Sequence, residues 1–332
     1  MTHKVRLVDV AQYADVSVKT VSNVVHGYKH VSPKLRTKVQ NAIEVLNYRP
    51  NVTARQLVTG KTGMIALALP ELDHPYFSEI ARLVAEYAQT VGYRVLIEQT
   101  LNDTESERAV LRDREVGLVD GIIFHPMGMC EEEISSVPKY IPIVLLGEST
   151  TTENSDHVLV DNIEVAHAAT VSLHDRGHRQ IAFLGRISDD FTGSTELRLQ
   201  GYRAALSEIK QNKEMILQLD GFSIQSAYEA TKDAISGNLE FDALLCRDDR
   251  LAIGALRAIR DMNLRVPEDI AILGWDNTQL ARYSTPSLSS VAPDKVEIAK
   301  TALAMLKERI EGYEGPGRKH FVKFTIASRQ ST

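Results

Sequence analysis

Cysteine is scarce in this chain. Cys130 and Cys246 are the only two in 332 residues, they stand alone, and no metal-ligand spacing surrounds them. Two such thiols suit reduced, partly buried positions with a structural role. Long apolar runs are missing too, so nothing reads as a membrane span. The N-terminus, MTHKVRLVDVAQ, lacks the apolar stretch and small-residue cleavage site of a secretory signal, and the chain is expected in the cytoplasm. Glu131-Glu132-Glu133, Asp189-Asp190 and Asp248-Asp249 are paired carboxylates, but no nucleophile, metal-ligand set or phosphate loop accompanies them. No enzyme, cofactor or metal site is expected.

What is present is ample apolar material and an uneven charge. Hydrophobic residues make up 43% of the chain. That excludes disorder and fibrous repeats, and the length calls for more than one compact unit. The formal net charge is −6. Residues 1–60 hold nine Lys and Arg against three acidic residues, a net +6, which leaves −12 for the remainder. A basic head on an acidic body suits a polyanion touched by the head alone; a solvated basic face is the plain alternative.

Within the head, Val10, Ala11 and Ala14 have helical spacing, Asp15-Val16 breaks it, and Val18, Val21, Val24 and Val25 resume it. Ser17 is an N-cap that can accept from the Thr20 amide, so a second helix starts at Val18. This leaves Val18, Lys19 and Asn23 outside a small core of Val10, Ala14, Val21 and Val24. Two short helices meeting at a tight corner have the geometry of a helix-turn-helix, whose second helix enters a major groove. The alternative is a generic three-helix packing unit. Ser32-Pro33 then opens a third helix lined by Leu35, Val39, Ala42, Ile43 and Leu46, and Asn47-Tyr48-Arg49-Pro50 ends it. Residues 51–57, NVTARQL, make about two helical turns, too short to be helical in water without a partner.

The segment VSVKTVSNVVHGYKHVSPKLRTKVQNAIEVLNYRPNVTARQL resembles the DNA-binding head of the lactose repressor (LacI/GalR) family, and the resemblance runs on to the C-terminus. It implies that Val18, Lys19 and Asn23 read bases, with Thr20 on the same helix, and that Ser17 and Ser32 lie near phosphates. It also implies a hinge helix that uses Asn51, Ala54, Arg55 and Leu57 in the minor groove. The chemistry suits these roles. Lysine can donate to guanine, asparagine can pair with adenine, valine can meet a thymine methyl, and leucine can wedge a base step apart. Arg6 stands where the family usually has a capping threonine, which weakens one cap.

From Met64 onward, short apolar runs alternate with amphipathic helices. Residues 64–69, 95–97, 121–124, 143–146, 181–184, 243–245 and 270–273 read as buried parallel strands. Helices fall near 80–91, 108–118, 163–176 and 251–262. The fold class is therefore an all-α head plus an α/β body, and the body is too long for one comfortable sheet. Two doubly wound parallel-sheet lobes are expected, dividing near Asp161-Asn162. By the family resemblance the body is like a periplasmic binding protein, with the chain crossing between lobes three times. The expected division is 1–50 head, 51–63 hinge and linker, 64–161 with about 292–321 the first lobe, and 162–291 with about 322–332 the second.

Clefts in such sheets open at the strand C-termini. The segments LPELDHPYFSEI, ELRLQGY, GFSIQSAY, RDDRLAIGALRAI and ILGWDNTQ match the family's pocket loops. The resemblance implies Tyr76, Phe77, Arg198, Phe222, Asp248 and Asp276 as effector-binding residues. Aromatics can stack on a sugar or nucleobase, while carboxylates and arginine hydrogen-bond hydroxyls. For the aromatics the plain alternative is core packing, and for Arg198 a salt bridge. His74 and His125 could line the pocket, although loop histidines are more often polar surface.

The expected partners are double-stranded operator DNA, a small-molecule effector and a second copy of the chain, with no membrane. A sugar or sugar derivative is favoured as effector. A purine or nucleoside remains open because Tyr76-Phe77 also resembles the family's purine-stacking pair, and a protein corepressor remains open as well. A transport solute-binding protein could use the same cleft, but it would carry no basic head. No tetramerising heptad tail is seen, so a homodimer is expected.

Overall fold

The computed structural model describes residues 5–25, 30–48, 61–115, 117–137, 141–148, 152–187, 193–211 and 213–332. They form two units, the first ending at Gly63 and the second running from Met64 to Thr332.

The first unit contains three helices, α1 (Leu7–Tyr13), α2 (Val18–Val25) and α3 (Pro33–Val45). Val10, Ala14, Val21, Val24, Val39, Ala42 and Tyr48 form its core. Burying a valine contributes roughly 1.5–3 kcal/mol, and that packing, more than helix propensity, stabilises helices this short. The Asp9 carboxylate accepts the Arg6 backbone N–H at 2.8 Å and lies 3.7 Å from its guanidinium. The helix start that lacks a hydroxyl cap is thus held by Asp9.

The body comprises, in order, β1 (Met64–Leu69), α4 (Pro75–Thr90), β2 (Arg94–Gln99), α5 (Thr104–Glu115), β3 (Ile122–Phe124), α6 (Glu131–Ser135), β4 (Ile143–Leu146), β5 (Asp156–Leu159), α7 (Asn162–Asp175), β6 (Ile181–Ile187), α8 (Gly193–Glu208), β7 (Ile216–Leu219), α9 (Ile224–Ser236), β8 (Ala243–Cys246), α10 (Asp249–Asp261), β9 (Ala271–Trp275), α11 (Gln279–Tyr283), β10 (Ser289–Pro293), α12 (Lys295–Ile310), β11 (Lys319–Phe321) and β12 (Phe324–Ala327). The strands make two six-stranded sheets. One has the order β11-β5-β4-β3-β1-β2 and the other β12-β10-β9-β8-β6-β7. Every pairing is parallel except that of β10 with β12. Helices cover both faces of such sheets, so the central strands are apolar along their whole length.

The chain passes between the sheets three times, after β5, after β10 and between β11 and β12. The crossings are hydrogen-bonded together. Val322 N–H donates to the Leu159 carbonyl and Asp294 N–H to the Lys323 carbonyl, both at 2.9 Å. The buried Asp156 accepts from Arg309 Nε and Nη2, each at 3.0 Å, and from the Arg318 backbone N–H, Nε and Nη2 at 2.9, 3.1 and 2.9 Å. Burial opposes its ionisation, but these two guanidinium groups outweigh it and hold the carboxyl down at about 2. In α8, a Cβ at Gly201 would overlap the Ile163 carbonyl oxygen, so glycine lets α8 lie directly on α7. Cys246 is buried, whereas Cys130 is exposed, unlike the partly buried position expected for it.

Candidate functional site

On the head, the corner between α1 and α2 is closed locally. Asp15 adopts φ +44°, and Val16 N–H donates to the Ala11 carbonyl at 3.0 Å. Ser17 Oγ accepts the Thr20 amide at 3.0 Å and lies 2.8 Å from Thr20 Oγ1, capping α2. Val21 and Val24 point into the core. Ser17, Val18 and Lys19 are exposed and Thr20 and Asn23 half-buried, so the start of α2 offers a cation, an amide and a methyl-bearing side chain together. Ser32 Oγ accepts the Leu35 amide at 3.4 Å at the start of α3. Asn51, Ala54, Arg55 and Leu57 lie outside the described residues.

In the body, a cavity of about 270 Å³ is lined by loops that follow the C-terminal ends of strands in both sheets. Tyr76, Phe77, Arg198, Phe222, Asp248 and Asp276 all line it. Tyr76 and Phe77 open α4, and α4 is capped by His74, whose Nδ1 accepts the Tyr76 amide at 3.3 Å. Phe77 sits in an aromatic cluster, with ring centroids 5.2 Å from His74, 5.3 Å from Tyr76 and 5.1 Å from His125. Both histidines line the cavity, and His74 is buried, so neither is the plain surface residue that loop histidines usually are.

Arg198 is fixed on three sides. Its Nε donates to Asn162 Oδ1 at 2.7 Å, its Nη1 to the Arg247 carbonyl, and its guanidinium lies 4.0 Å from the centroid of the Trp275 ring. The Gly201 contact makes the first of these possible, because it brings α8 against the start of α7. Asp248 caps α10 by accepting the Leu251 amide at 2.8 Å. Its other oxygen accepts from Arg247 Nη1 at 2.8 Å and lies 3.6 Å from His74 Nε2. Burial would raise this carboxyl, but His74, Arg247 and the helix amide overcome it and hold it far below the usual carboxylate range. The neighbouring Asp249 turns the other way. Burial, then the charge of Asp276, push it up to about 7, although Ser290 and Thr278 donate to it.

Asp276 adopts φ +93°, and burial raises its carboxyl; burial also raises Glu148, which lines the opposite wall. Burial pushes His125 down to about 4, so it stands neutral. The cavity therefore pairs fixed guanidinium donors with carboxyl acceptors on an aromatic floor, an arrangement that can hold a small hydroxylated ring by its edge and its face.

Sequence reasoning missed Glu71, Glu148, Arg247, Arg250 and Trp275, which also line the cavity. The signal was partly there. Arg247 and Arg250 flank Asp248 in RDDR, Trp275 precedes Asp276, and Gly147-Glu148 follows the apolar run of β4 as pocket residues do in such sheets. Among the described residues, no group of three His, Cys, Asp or Glu side chains could hold a metal ion.

A helix-turn-helix head and a two-sheet body with a polar cleft define a DNA-binding protein with a ligand-binding module. Comparison with known proteins agrees. Residues 6–51 match the model of bacterial regulatory proteins, lacI family, and residues 170–332 match the periplasmic binding protein-like domain. Catabolite control protein A of Priestia megaterium is 31% identical over 91% of each chain, and the ribose operon repressor of Haemophilus influenzae is 31% identical over 97% of each. The structure of the lac repressor dimer bound to operator and the anti-inducer ONPF superposes with a TM-score of 0.87, at 26% identity over 99% of each chain. The chain belongs to the lacI family of bacterial regulatory proteins, and it is a DNA-binding transcriptional regulator.

Proposed function

We propose that this regulator represses carbohydrate-utilisation genes by binding a palindromic operator as a homodimer, with a sugar or sugar derivative held in the cleft between the two lobes of the body. The observation that carries this reading is the cavity itself, where Arg198, Asp248 and Asp276 converge with Tyr76 and Phe77 at the strand C-termini. The head supports the DNA half through the exposed Val18 and Lys19 at the start of α2. Ser17 and Ser32 would lie at phosphates, and Asn51, Ala54, Arg55 and Leu57 would form the minor-groove hinge. The division into head, hinge and two lobes follows the expected boundaries in this reading. The ribose operon repressor and the operator-bound lac repressor dimer favour the same assignment by likeness.

A hydroxylated ring is favoured over a nucleobase because Arg198, Arg247, Asp248 and Asp276 supply charged hydrogen-bonding groups around the cavity, and the Arg247 guanidinium, 3.9 Å from the centroid of the Phe222 ring, covers one face of that aromatic. In this reading the protein has no catalytic role and works in the cytoplasm on the nucleoid. No helix among the described residues is long and apolar enough to cross a membrane.

Control would follow from differential affinity. An effector that binds the closed cleft better shifts the lobes toward closure, and closure of one lobe against the dimer mate orders or melts the paired hinges. Induction results when closure separates the hinges, corepression when it joins them.

The test is thermal protection of the purified protein by a panel of sugars, sugar phosphates, nucleosides and purines, repeated with Arg198→Ala. A ligand that binds the native state raises its apparent stability by mass action. A sugar shift that Arg198→Ala abolishes is the expected result. Protection by purines alone would overturn the sugar assignment, and silence across the panel would overturn the cleft as the effector site.

A further inference from the structure

One short stretch of the first lobe, residues 71–79, makes all of the charged contacts that reach from the β1–α4 loop and the start of α4 into the second lobe among the described residues. Glu71 Oε2 accepts from Arg250 Nη1 at 3.2 Å. His74 Nε2 lies 3.6 Å from Asp248 Oδ2. Glu79 accepts the Gln279 amide at 3.1 Å; within the first lobe it also pairs with Lys295, whose ammonium donates across to the Asp276 and Asn277 carbonyls at 2.7 and 3.2 Å. Tyr76 and Phe77 sit between these contacts. The segment that supplies the aromatic wall of the cavity therefore also helps to join the lobes across it.

Arg250 stands out within this set. It is the second residue of α10, where the helix dipole disfavours a cation, so its charge does not serve the helix. Among the described residues its Nε is buried with no hydrogen-bond partner, and its one ion pair is with Glu71. Glu71 is in turn oriented by Asn102 Nδ2, which donates to its Oε1 at 3.2 Å. A guanidinium left this short of partners within one lobe is satisfied by the other lobe or by what lies between them. Both residues line the cavity, where an opened cleft would hand each to water.

We propose that Arg250 and Glu71 are positioning residues of the effector site, forming an ion pair that draws the lobes together over the cavity before any effector binds. The proposal rests on the reading of the cleft as the effector site for its consequence, but not for its test. With the pair intact, the free protein spends part of its time closed, and effector binding completes a closure already favoured. The effector then meets a preformed floor of Tyr76 and Phe77 against Arg198 and Asp276, so the pair sets apparent affinity without touching the ligand ring.

The test reads lobe separation with no effector present. In a Cys130→Ser background, nitroxide labels at Arg112→Cys on α5 and Asp233→Cys on α9 report the interlobe distance by pulsed electron resonance on the full-length protein. Glu71→Gln and Arg250→Gln should each lower the closed-to-open ratio about tenfold, the order expected of one half-buried ion pair. The charge-reversed double variant Glu71→Arg/Arg250→Glu should restore most of that loss, which a merely structural role would not do. If single variants leave the distance distribution of the parent unchanged, or the reversed pair fails to restore it, the proposal is overturned. Should one single variant fail to fold, the other still decides by the same readout, and a closed fraction equal to that of the parent overturns the proposal. Because no ligand enters the experiment, it stands or falls separately from the sugar assignment.

Discussion

The guanidinium of Arg247 lies 3.9 Å over the ring of Phe222, held there by Thr195 Oγ1 at 2.9 Å and by Asp248 at 2.8 Å. One face of that aromatic is covered by a fixed cation from the neighbouring loop. Arg247→Ala uncovers that face and removes a charge-assisted bond to Asp248. Affinity for the hydroxylated effector is expected to fall about tenfold, or about 1.4 kcal/mol, while any binding of purine bases rises. Isothermal titration of both ligand classes checks this. Equal affinity before and after the change would place Arg247 outside the recognition set.

On the head, the proposed base reading and the helix capping fall on different residues. Lys19→Ala leaves the core of α2 untouched, because Lys19 is exposed. It should cost about 1–3 kcal/mol in operator affinity at fixed salt, with head stability unchanged. Ser17→Ala removes the cap that accepts the Thr20 amide and should destabilise the head by about 0.5–2 kcal/mol. Fluorescence anisotropy on operator DNA and thermal melting of each variant distinguish the two effects; a Lys19→Ala protein that binds operator as tightly as the parent would refute its reading role.

Asp156 predicts an acid transition. Its folded carboxyl is held at about 2, below the unfolded value. The stability it contributes is therefore present above about pH 4 and is lost as pH falls toward 2. Asp156→Asn removes the charge that Arg309 and Arg318 share, leaving Arg309 on the Gly315 and Pro316 carbonyls and Arg318 on Glu308, and should cost roughly 2–3 kcal/mol near neutrality. In melts across pH, the gap between variant and parent should narrow below pH 4. A gap that stays constant with pH would show that the carboxylate charge is not what matters.

Asp249 predicts the opposite slope. Its folded value is raised to about 7, so its neutral form suits the fold, and its contribution is greatest below about pH 4 and is lost as pH rises through 7. Asp249→Asn keeps a neutral group that can donate to Ser290 Oγ, whose own proton can turn to the Val291 carbonyl 3.2 Å away. Melting temperatures of variant and parent should diverge in the variant's favour between pH 5 and pH 8, by about 1 kcal/mol or more. Parallel curves would contradict the assignment.

What could be read from the chain follows from how each strand is buried. β1, β3, β4, β8 and β9 are apolar on both faces, because helices cover both, and such runs are visible without a structure. β5 was invisible for a specific reason. Half of it is Asp156-His157, and a buried aspartate is credible only once Arg309 and Arg318, more than 150 residues away, are known to reach it. β10 opens with Ser289-Ser290, and β11 and β12 are short and half-exposed, so none carries a periodic signal. In the site, each pocket loop contributed the residue that its motif singled out. The pairing of Glu71 with Arg250 escaped, although RDDR marks Arg250 as a pocket-loop cation, because no local pattern encodes a contact 179 positions apart.

The three crossings between the sheets constrain more than topology. One tether would let the lobes twist, slide and swing. Three strands of chain laid side by side, and stitched together by Val322 to Leu159 and by Asp294 to Lys323, act as the spine of a book. Such a spine allows the covers to open and shut and resists shear. In the proposed reading, free energy delivered at the cavity then has one mechanical outlet, so a small ligand held by a few hydrogen bonds would drive one defined swing of a lobe.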